Sequence, residues 1–163
     1  MKGAVLLSGG VDSSVALYLL REQGCRDLHA FYLKIWLEEE LAFLGNCPWE
    51  TDLTFARAVC AATDVPLNVV PLQSEYQNRI VEHAIAELRS GRTPSPDILC
   101  NQWIKFGVFY DRIDAEFDWV ATGHYAQIEE RRGAFYLKQS PDPEKDQTYF
   151  LYRLDQRQLA RAR

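Results

Sequence analysis

The sequence has no apolar run long enough to cross a bilayer. It has no Cys-x-x-Cys pair among its four cysteines, no internal repeat and no low-complexity linker. A secretory leader is missing too: one lysine, Lys2, is followed by a short apolar stretch that runs straight into a glycine turn. These absences point to a cytoplasmic protein with no membrane partner. In that compartment Cys25, Cys47, Cys60 and Cys100 read as core residues or reactive thiols rather than disulfides. An excess of positive charge is also lacking. The formal net charge is −5, so a nucleic-acid partner is not announced globally and would need a local basic patch. The 163 residues allow one domain with a real core, not two large ones.

What is present begins at the N-terminus. The apolar residues Ala4, Val5, Leu6 and Leu7 stop at Ser8-Gly9-Gly10, and Asp12, Ser13 and Ser14 follow Val11. Val15, Ala16, Leu19 and Leu20 then recur at helical spacing. This predicts a strand, a glycine turn and a helix N-terminus. The first turn of a helix carries unpaired N–H groups and the positive end of the dipole, so it attracts phosphate. Gly9 and Gly10 lack a Cβ, which lets the backbone turn sharply and approach an anion. Ser8, Ser13 and Ser14 add hydroxyl donors. Asp12 cannot hold phosphate itself; it would hold a Mg²⁺ that bridges phosphate oxygens. The loop has neither the Gly-Lys-Ser/Thr ending of the Walker loop nor the three-glycine dinucleotide pattern. The competing reading is an ordinary strand–turn–helix with a Ser/Asp cap. Its place at the C-terminal end of the first strand favours phosphate binding, because open α/β sheets bind ligands there. SGGVDSS resembles the PP-loop of ATP pyrophosphatases, which split ATP into AMP and pyrophosphate and adenylate a substrate.

Further along, residues 13–23 predict a helix closed by Gly24, and residues 28–35 a second strand. Residues 38–48 are irregular, with the acidic run Glu38-Glu39-Glu40 read as a solvated face. A helix over 50–62, broken before Pro66, leads to a short strand over 67–71. A helix from Ser74 to Gly91 gathers Ile80, Val81, Ala84, Ile85 and Leu88 on one apolar face. Helix 101–117, strand 119–122, a hairpin over 126–137 around Arg131-Arg132-Gly133, a short strand over 149–152 and a last helix capped by Asp155 complete the chain. Strand alternating with helix predicts an α/β fold, a Rossmann-like parallel sheet with helices on both faces. Residues 8–14, 33–36 and 123–124 would then converge at its C-terminal edge.

The second motif is GRTPSPDILCNQWIKF, residues 91–106. Pro94 and Pro96 stiffen a loop that presents Asp97 and then Cys100, just ahead of the 101–117 helix. A helix dipole would stabilise a thiolate at that point. Taken alone, Cys100 reads equally as a small buried hydrophobe. The segment closely resembles the GRTPNPD-x-x-CN-x-x-IKF motif of tRNA-specific 2-thiouridylases of the MnmA type. ATGHY at 121–125 and KDQTYFL at 145–151 also match that family, and CPWE-x-D-L at 47–53 does so more weakly.

The resemblance implies an adenine nucleotide alpha hydrolase-like fold and a set of roles. Leu6, Leu7, Ser8, Gly9, Gly10, Val11, Asp12 and Ser13 would cradle ATP; Leu33 and Gly123 would also touch it. Ser95, Pro96 and Asp97 would contact the wobble uridine of tRNA, with Ser95 where the family commonly has Asn. His124, Lys145, Asp146 and Gln147 would contact tRNA. Cys100 would be the first of two catalytic cysteines. Asp97 would be a polariser, a proton carrier or, in iron–sulfur proposals for the family, a cluster ligand; one cysteine and one aspartate are too few to complete a cluster. The family adenylates the 2-oxygen of the uridine and then transfers sulfur from a cysteine persulfide supplied by a donor or desulfurase relay. Family members continue into a segment with a second cysteine and a β-barrel. This chain therefore corresponds to the ATP-binding, adenylating part. The alternative is a non-catalytic ATP-binding module that needs a partner chain for sulfur transfer.

Without the family motifs, His124 reads as a strand-end residue paired with a backbone carbonyl. On the same terms Lys145-Asp146-Gln147 reads as a polar loop. Trp36, Trp49, Trp103 and Trp119 read as packing residues.

Overall fold

Gly3–Leu6 forms β1, and all four of its residues are buried. An apolar strand with no polar alternation suits the centre of a parallel sheet covered on both faces. In the computed structural model, which describes residues 1–35, 48–113 and 116–163, β1 sits inside a four-stranded sheet. The strand β2 (Leu28–Lys34) pairs with β1 in parallel, Leu6 opposite Phe31. On the other side β4 (Trp119–Ala121) pairs with Val5 opposite Ala121. The outer strand β3 (Leu67–Pro71) pairs only with β2, and its Asn68, Val69 and Pro71 are exposed, as an edge allows. The order is β3-β2-β1-β4, all parallel. This is the expected Rossmann-like α/β sheet.

The crossover helices are α1 (Val11–Glu22) and α2 (Pro48–Thr63). They pack one face: Leu17, Leu53, Ala56 and Cys60 join Val5, Ala30, Tyr32 and Trp119 in one buried cluster. The alternate residues Ala4, Leu6, Phe31 and Val120 are buried as well. Gly3 is required by packing, since a Cβ there would lie 2.3 Å from the Trp119 indole. These elements belong to the first of two compact units, Met1–Gln73 with Ala115–His124.

The second unit, Ser74–Asp114 with Tyr125–Arg163, is mainly helical. Its first helical path runs through α3 (Gln73–Tyr76), a π-helical turn (Gln77–Val81) and α4 (Glu82–Arg89). The next runs through α5 (Pro96–Leu99), a π-helical stretch (Cys100–Val108) and α6 (Phe109–Ile113). Two contacts fall on the wide turns of the second stretch. A Cβ on Gly107 would come within 2.9 Å of the Gln102 carbonyl. From α7 (Gln156–Arg161), Gln158 Nε2 donates to the carbonyls of Gln102 and Phe106, at 2.8 and 2.9 Å. The antiparallel hairpin β5 (Ala126–Arg131) and β6 (Ala134–Gln139) turns at Arg132 and Gly133, both at positive φ. Asp155 and Gln158 form a reciprocal capping box on α7, as the sequence predicts.

Two expected elements differ. The 101–117 helix begins earlier, at Pro96, whose fixed φ and missing N–H suit the first helical position. The segment expected as a strand over 149–152 contains instead a 3₁₀ turn, Thr148–Phe150. Asp146 organises that turn by accepting from the Thr148 amide and hydroxyl. Trp36, the Glu38-Glu39-Glu40 run and Cys47 lie outside the described residues. No helix among the described residues is long and apolar enough to cross a membrane.

Candidate functional site

The glycine loop of the first unit is fixed by backbone packing. Gly9 has φ +83°, and a Cβ there would lie 2.4 Å from the backbone oxygen of Asp52, in the first turns of α2. Either fact alone excludes an ordinary side chain. Gly10 is extended and occupies the N-cap position of α1 without a side-chain cap. A Cβ at Gly10 would meet only the Ser8 hydroxyl, at 3.5 Å. Protein atoms therefore leave space before the helix, at the end where its first-turn amides stand.

The serines do something other than expected. Ser13 is buried, and its hydroxyl donates to the Gly10 carbonyl at 3.1 Å while accepting from the Ser8 amide at 3.2 Å. Ser14 Oγ donates to the same carbonyl at 2.8 Å. Both hydroxyls brace the loop from inside, so the donors they leave for an anion are backbone amides. Ser8 and Val11 are exposed, Asp12 is half-buried, and Leu6 and Leu7 lie in the core.

Neighbouring strand ends close on this loop. A Cβ on Gly123, just past β4, would lie 2.6 Å from the Ser13 amide nitrogen, so strand end and helix start are in direct backbone contact. Leu33 lies two residues beyond Phe31, the partner of Leu6, at the same edge of the sheet. The residues from Leu6 to Ser13, with Leu33 and Gly123, are thus brought to one edge. Sequence reasoning missed what α2 adds. Lys34 Nζ lies 3.9 Å from the centre of the Trp49 ring, and the buried Trp49 Nε1 has no hydrogen-bond partner among the described residues. His124 Nδ1 lies 2.7 Å from the Thr122 hydroxyl.

In the second unit Ser95 occupies the N-cap position of α5 without capping it, Pro96 follows, and Asp97 is exposed in the first turn. Because the helix begins at Pro96, Cys100 is one turn inside it rather than ahead of it. The thiol is buried, and burial pushes its pKa up; Lys105 pulls the other way and Asp97 adds to the rise. The sequence led to the expectation of an activated thiol; desolvation is the largest influence on it and raises its pKa. Tyr76 is a residue that the motifs did not flag. Burial raises its pKa first, with Cys100 and then Asp97 adding, which puts its phenol within electrostatic reach of both.

Asn101 is 2% exposed; its Nδ2 donates to the Phe150 carbonyl at 3.1 Å, and its Oδ1 is buried without a partner. It joins the cysteine-bearing helix to the 3₁₀ turn. Around that turn the expected tRNA-contact side chains have internal partners. Gln147 Oε1 accepts from the Tyr125 amide at 3.0 Å, and the Gln147 amide donates back to the Tyr125 carbonyl at 2.9 Å. Hydrogen bonds from the Thr148 amide and hydroxyl hold Asp146 below the usual carboxylate range. Lys145 Nζ lies 4.0 Å from the centre of the Tyr125 ring.

Among the described residues no three His, Cys, Asp or Glu side chains lie close enough together to hold a metal ion. A four-ligand iron–sulfur cluster does not fit Asp97 and Cys100. A Mg²⁺ that arrives with phosphates needs only one or two protein carboxylates, and half-buried Asp12 in the first turn of α1 meets that demand.

A parallel α/β sheet with a glycine-lined helix start at its C-terminal edge defines a nucleotide-binding class of fold. The whole chain, residues 1–163, matches the family described as tRNA methyl transferase HUP domain. It belongs to that family. Among curated relatives, the tRNA-specific 2-thiouridylase MnmA of Akkermansia muciniphila is 49% identical over 158 residues, 96% of this chain and 43% of the relative. MnmA of Nitrosomonas europaea is 45% identical over 94% of this chain and 42% of its own length. The chain thus spans under half the length of these relatives. A solved structure of a predicted subunit of tRNA methyltransferase from Methanocaldococcus jannaschii shares the fold, with a TM-score of 0.51 and 17% identity, over 82% of this chain and 56% of that one.

Proposed function

We propose that this chain is the ATP-binding, uridine-adenylating part of a tRNA 2-thiouridylase. The observation that carries the reading is the space before α1. Gly9 is locked by Asp52, Gly10 has no side chain in that space, and the Ser13 and Ser14 hydroxyls are bonded to the Gly10 carbonyl, so the groups left to meet an anion there would be backbone amides. That geometry suits a polyphosphate. The relatives' names favour thiolation over the methyl transfer in the family description, and the PSPD-x-x-CN segment supplies a thiol that thiolation needs.

The uridine 2-oxygen attacks the α-phosphorus of ATP and pyrophosphate leaves. First-turn amides would stabilise the charge that builds on the departing oxygens. Asp12 would hold a Mg²⁺, whose charge would add to that neutralisation. Ser95, Pro96 and Asp97 would hold the base, with Asp97 polarising it or carrying a proton. His124 and Lys145 would contact tRNA. Asp146 and Gln147 would act by holding the turn that presents Lys145, since their side chains are already bonded within the protein. Sulfur carried on Cys100 as a persulfide would then attack the activated carbon, with AMP leaving. A second thiol is needed to release the sulfur, and Cys60, buried in the core of the first unit, is unsuited to that.

The test is AMP formation from labelled ATP with Mg²⁺ and a tRNA carrying uridine at the wobble position. AMP that depends on that uridine is the expected result. ATP binding without tRNA-dependent AMP would instead fit a non-catalytic nucleotide-binding module.

A further inference from the structure

The second unit also carries a groove that none of the roles above uses. It has a volume of about 530 Å³ and is lined by Asn78, Arg79, Glu82, His83 and Trp103. Four of these stand on one helical path, at spacings of one, three and one residue across the join of the π-helical turn Gln77–Val81 with α4. Trp103 comes from the π-helical stretch Cys100–Val108. The His83 and Trp103 rings meet edge to face, with centroids 5.4 Å apart and planes at 81°. Arg79 is exposed and has no ion pair among the described residues. Glu82, three residues on, lies at the helical spacing for a pair, yet the two are not bridged.

Trp103 also differs from Trp119. The latter is a packing residue, 6% exposed in the core of the sheet. Trp103 is half-buried and borders open space. A large aromatic at a groove wall, rather than inside the core, offers a face or edge to a ligand. The remaining groups divide in the way that a nucleotide does. Trp103 and His83 suit a flat base. Asn78 and Glu82 offer an amide and a carboxylate for the hydrogen-bonding edge of that base. Arg79 matches a phosphate. A peptide would use the aromatic wall and one charge, but an unmodified peptide has no phosphate for Arg79 to match.

We propose that this groove binds one unpaired nucleotide of an RNA strand, its base against Trp103 and His83 and its phosphate on Arg79. The inference rests on the reading that the substrate is tRNA, and it adds a contact point to those proposed at Ser95, Pro96 and Asp97 and at His124 and Lys145. It also answers the charge problem that the sequence poses. An acidic chain can hold RNA through stacking and a single well-placed guanidinium, without a broad basic face.

The experiment is equilibrium binding of a fluorescently labelled anticodon stem-loop RNA to this chain, without ATP, across a salt series. Arg79 is exposed, so Arg79→Ala tests the groove without a folding risk. It is expected to weaken binding and to flatten the plot of log affinity against log salt by about 0.7, one phosphate contact on a single strand. Trp103→Ala is expected to weaken binding by about tenfold or more, and Trp103→Phe, which keeps a stacking face, to restore most of it. Neither Arg79→Ala nor Trp103→Phe should change ATP affinity. Wild-type affinity and slope in Arg79→Ala overturn the groove. So does a wild-type chain that binds no RNA. AMP formation that depends on wobble uridine, together with unaltered RNA binding by Arg79→Ala, would sink the groove and leave the proposed function standing. Arg79-dependent RNA binding with no AMP formation would do the reverse.

Discussion

The two units hold their candidate residues by different means. In the first, backbone meets backbone: Gly9 lies against Asp52, Gly123 lies against Ser13, and two serine hydroxyls converge on one carbonyl. In the second, side chains tie elements together: Asn101 reaches Phe150, Gln147 clasps Tyr125 and Gln158 reaches Gln102 and Phe106. A backbone-built site tolerates no added atom, whereas a site built on side-chain bonds loses one bond at a time. The first arrangement suits a ligand whose charged oxygens need donors at fixed positions. The second suits a surface that must present several side chains to a larger partner.

The largest expected effect tests the rigid half. In Gly123→Ala the new methyl would sit against the backbone of Asp12 and Ser13, atoms that cannot swing aside. Overpacking of this kind costs about 1–3 kcal/mol. Denaturant unfolding should show that loss, with ATP affinity falling as the helix start moves. Next comes Asn101→Leu, which removes the bond to Phe150 and leaves a buried carbonyl unpaired, at about 1–3 kcal/mol. Hydrogen exchange should show loosening around the Thr148–Phe150 turn, while ATP affinity stays at the wild-type value. Equal damage to ATP binding from both variants would erase the contrast between the units. A smaller effect is expected from Asp155→Ala, about 1 kcal/mol through the lost cap of α7, again with ATP binding unaltered.

The thiols sharpen the contrast by reactivity. Burial raises the Cys100 pKa, so near neutral pH the group is a protonated thiol. Peptide-resolved alkylation at about pH 7 should label half-buried Cys25 before Cys100. The sign for stability follows. A thiol whose folded pKa is raised favours the fold fully below its unfolded value of about 8.5. That contribution is lost as pH climbs from there through the folded value.

Legibility in the sequence follows the same division. The glycine loop was readable because its demands are written in residue type: two glycines, small hydroxyls and an apolar strand in one stretch. Strands β2 and β3 were readable for a similar local reason, since each is an apolar run bounded by turn residues. Cys100 was misplaced in its helix because Pro96 reads as part of a stiff loop, yet it also suits a first helical turn. The 149–152 segment is aromatic enough to suggest a strand, and only the Asp146–Thr148 bonds reveal a 3₁₀ turn. Tyr76, Trp49 and the Trp103 groove left no local signal. Their meaning depends on residues distant in sequence, which periodicity does not report.

Calorimetric titration of ATP with Mg²⁺ into the wild-type chain and into Gly9→Ala tests the glycine loop most directly, with circular dichroism to confirm that both are folded. The account predicts one ATP per wild-type chain and at least a tenfold weaker affinity in Gly9→Ala, about 1.4 kcal/mol. A folded Gly9→Ala that binds ATP as the wild type does, or a folded wild-type chain that binds none, would contradict it.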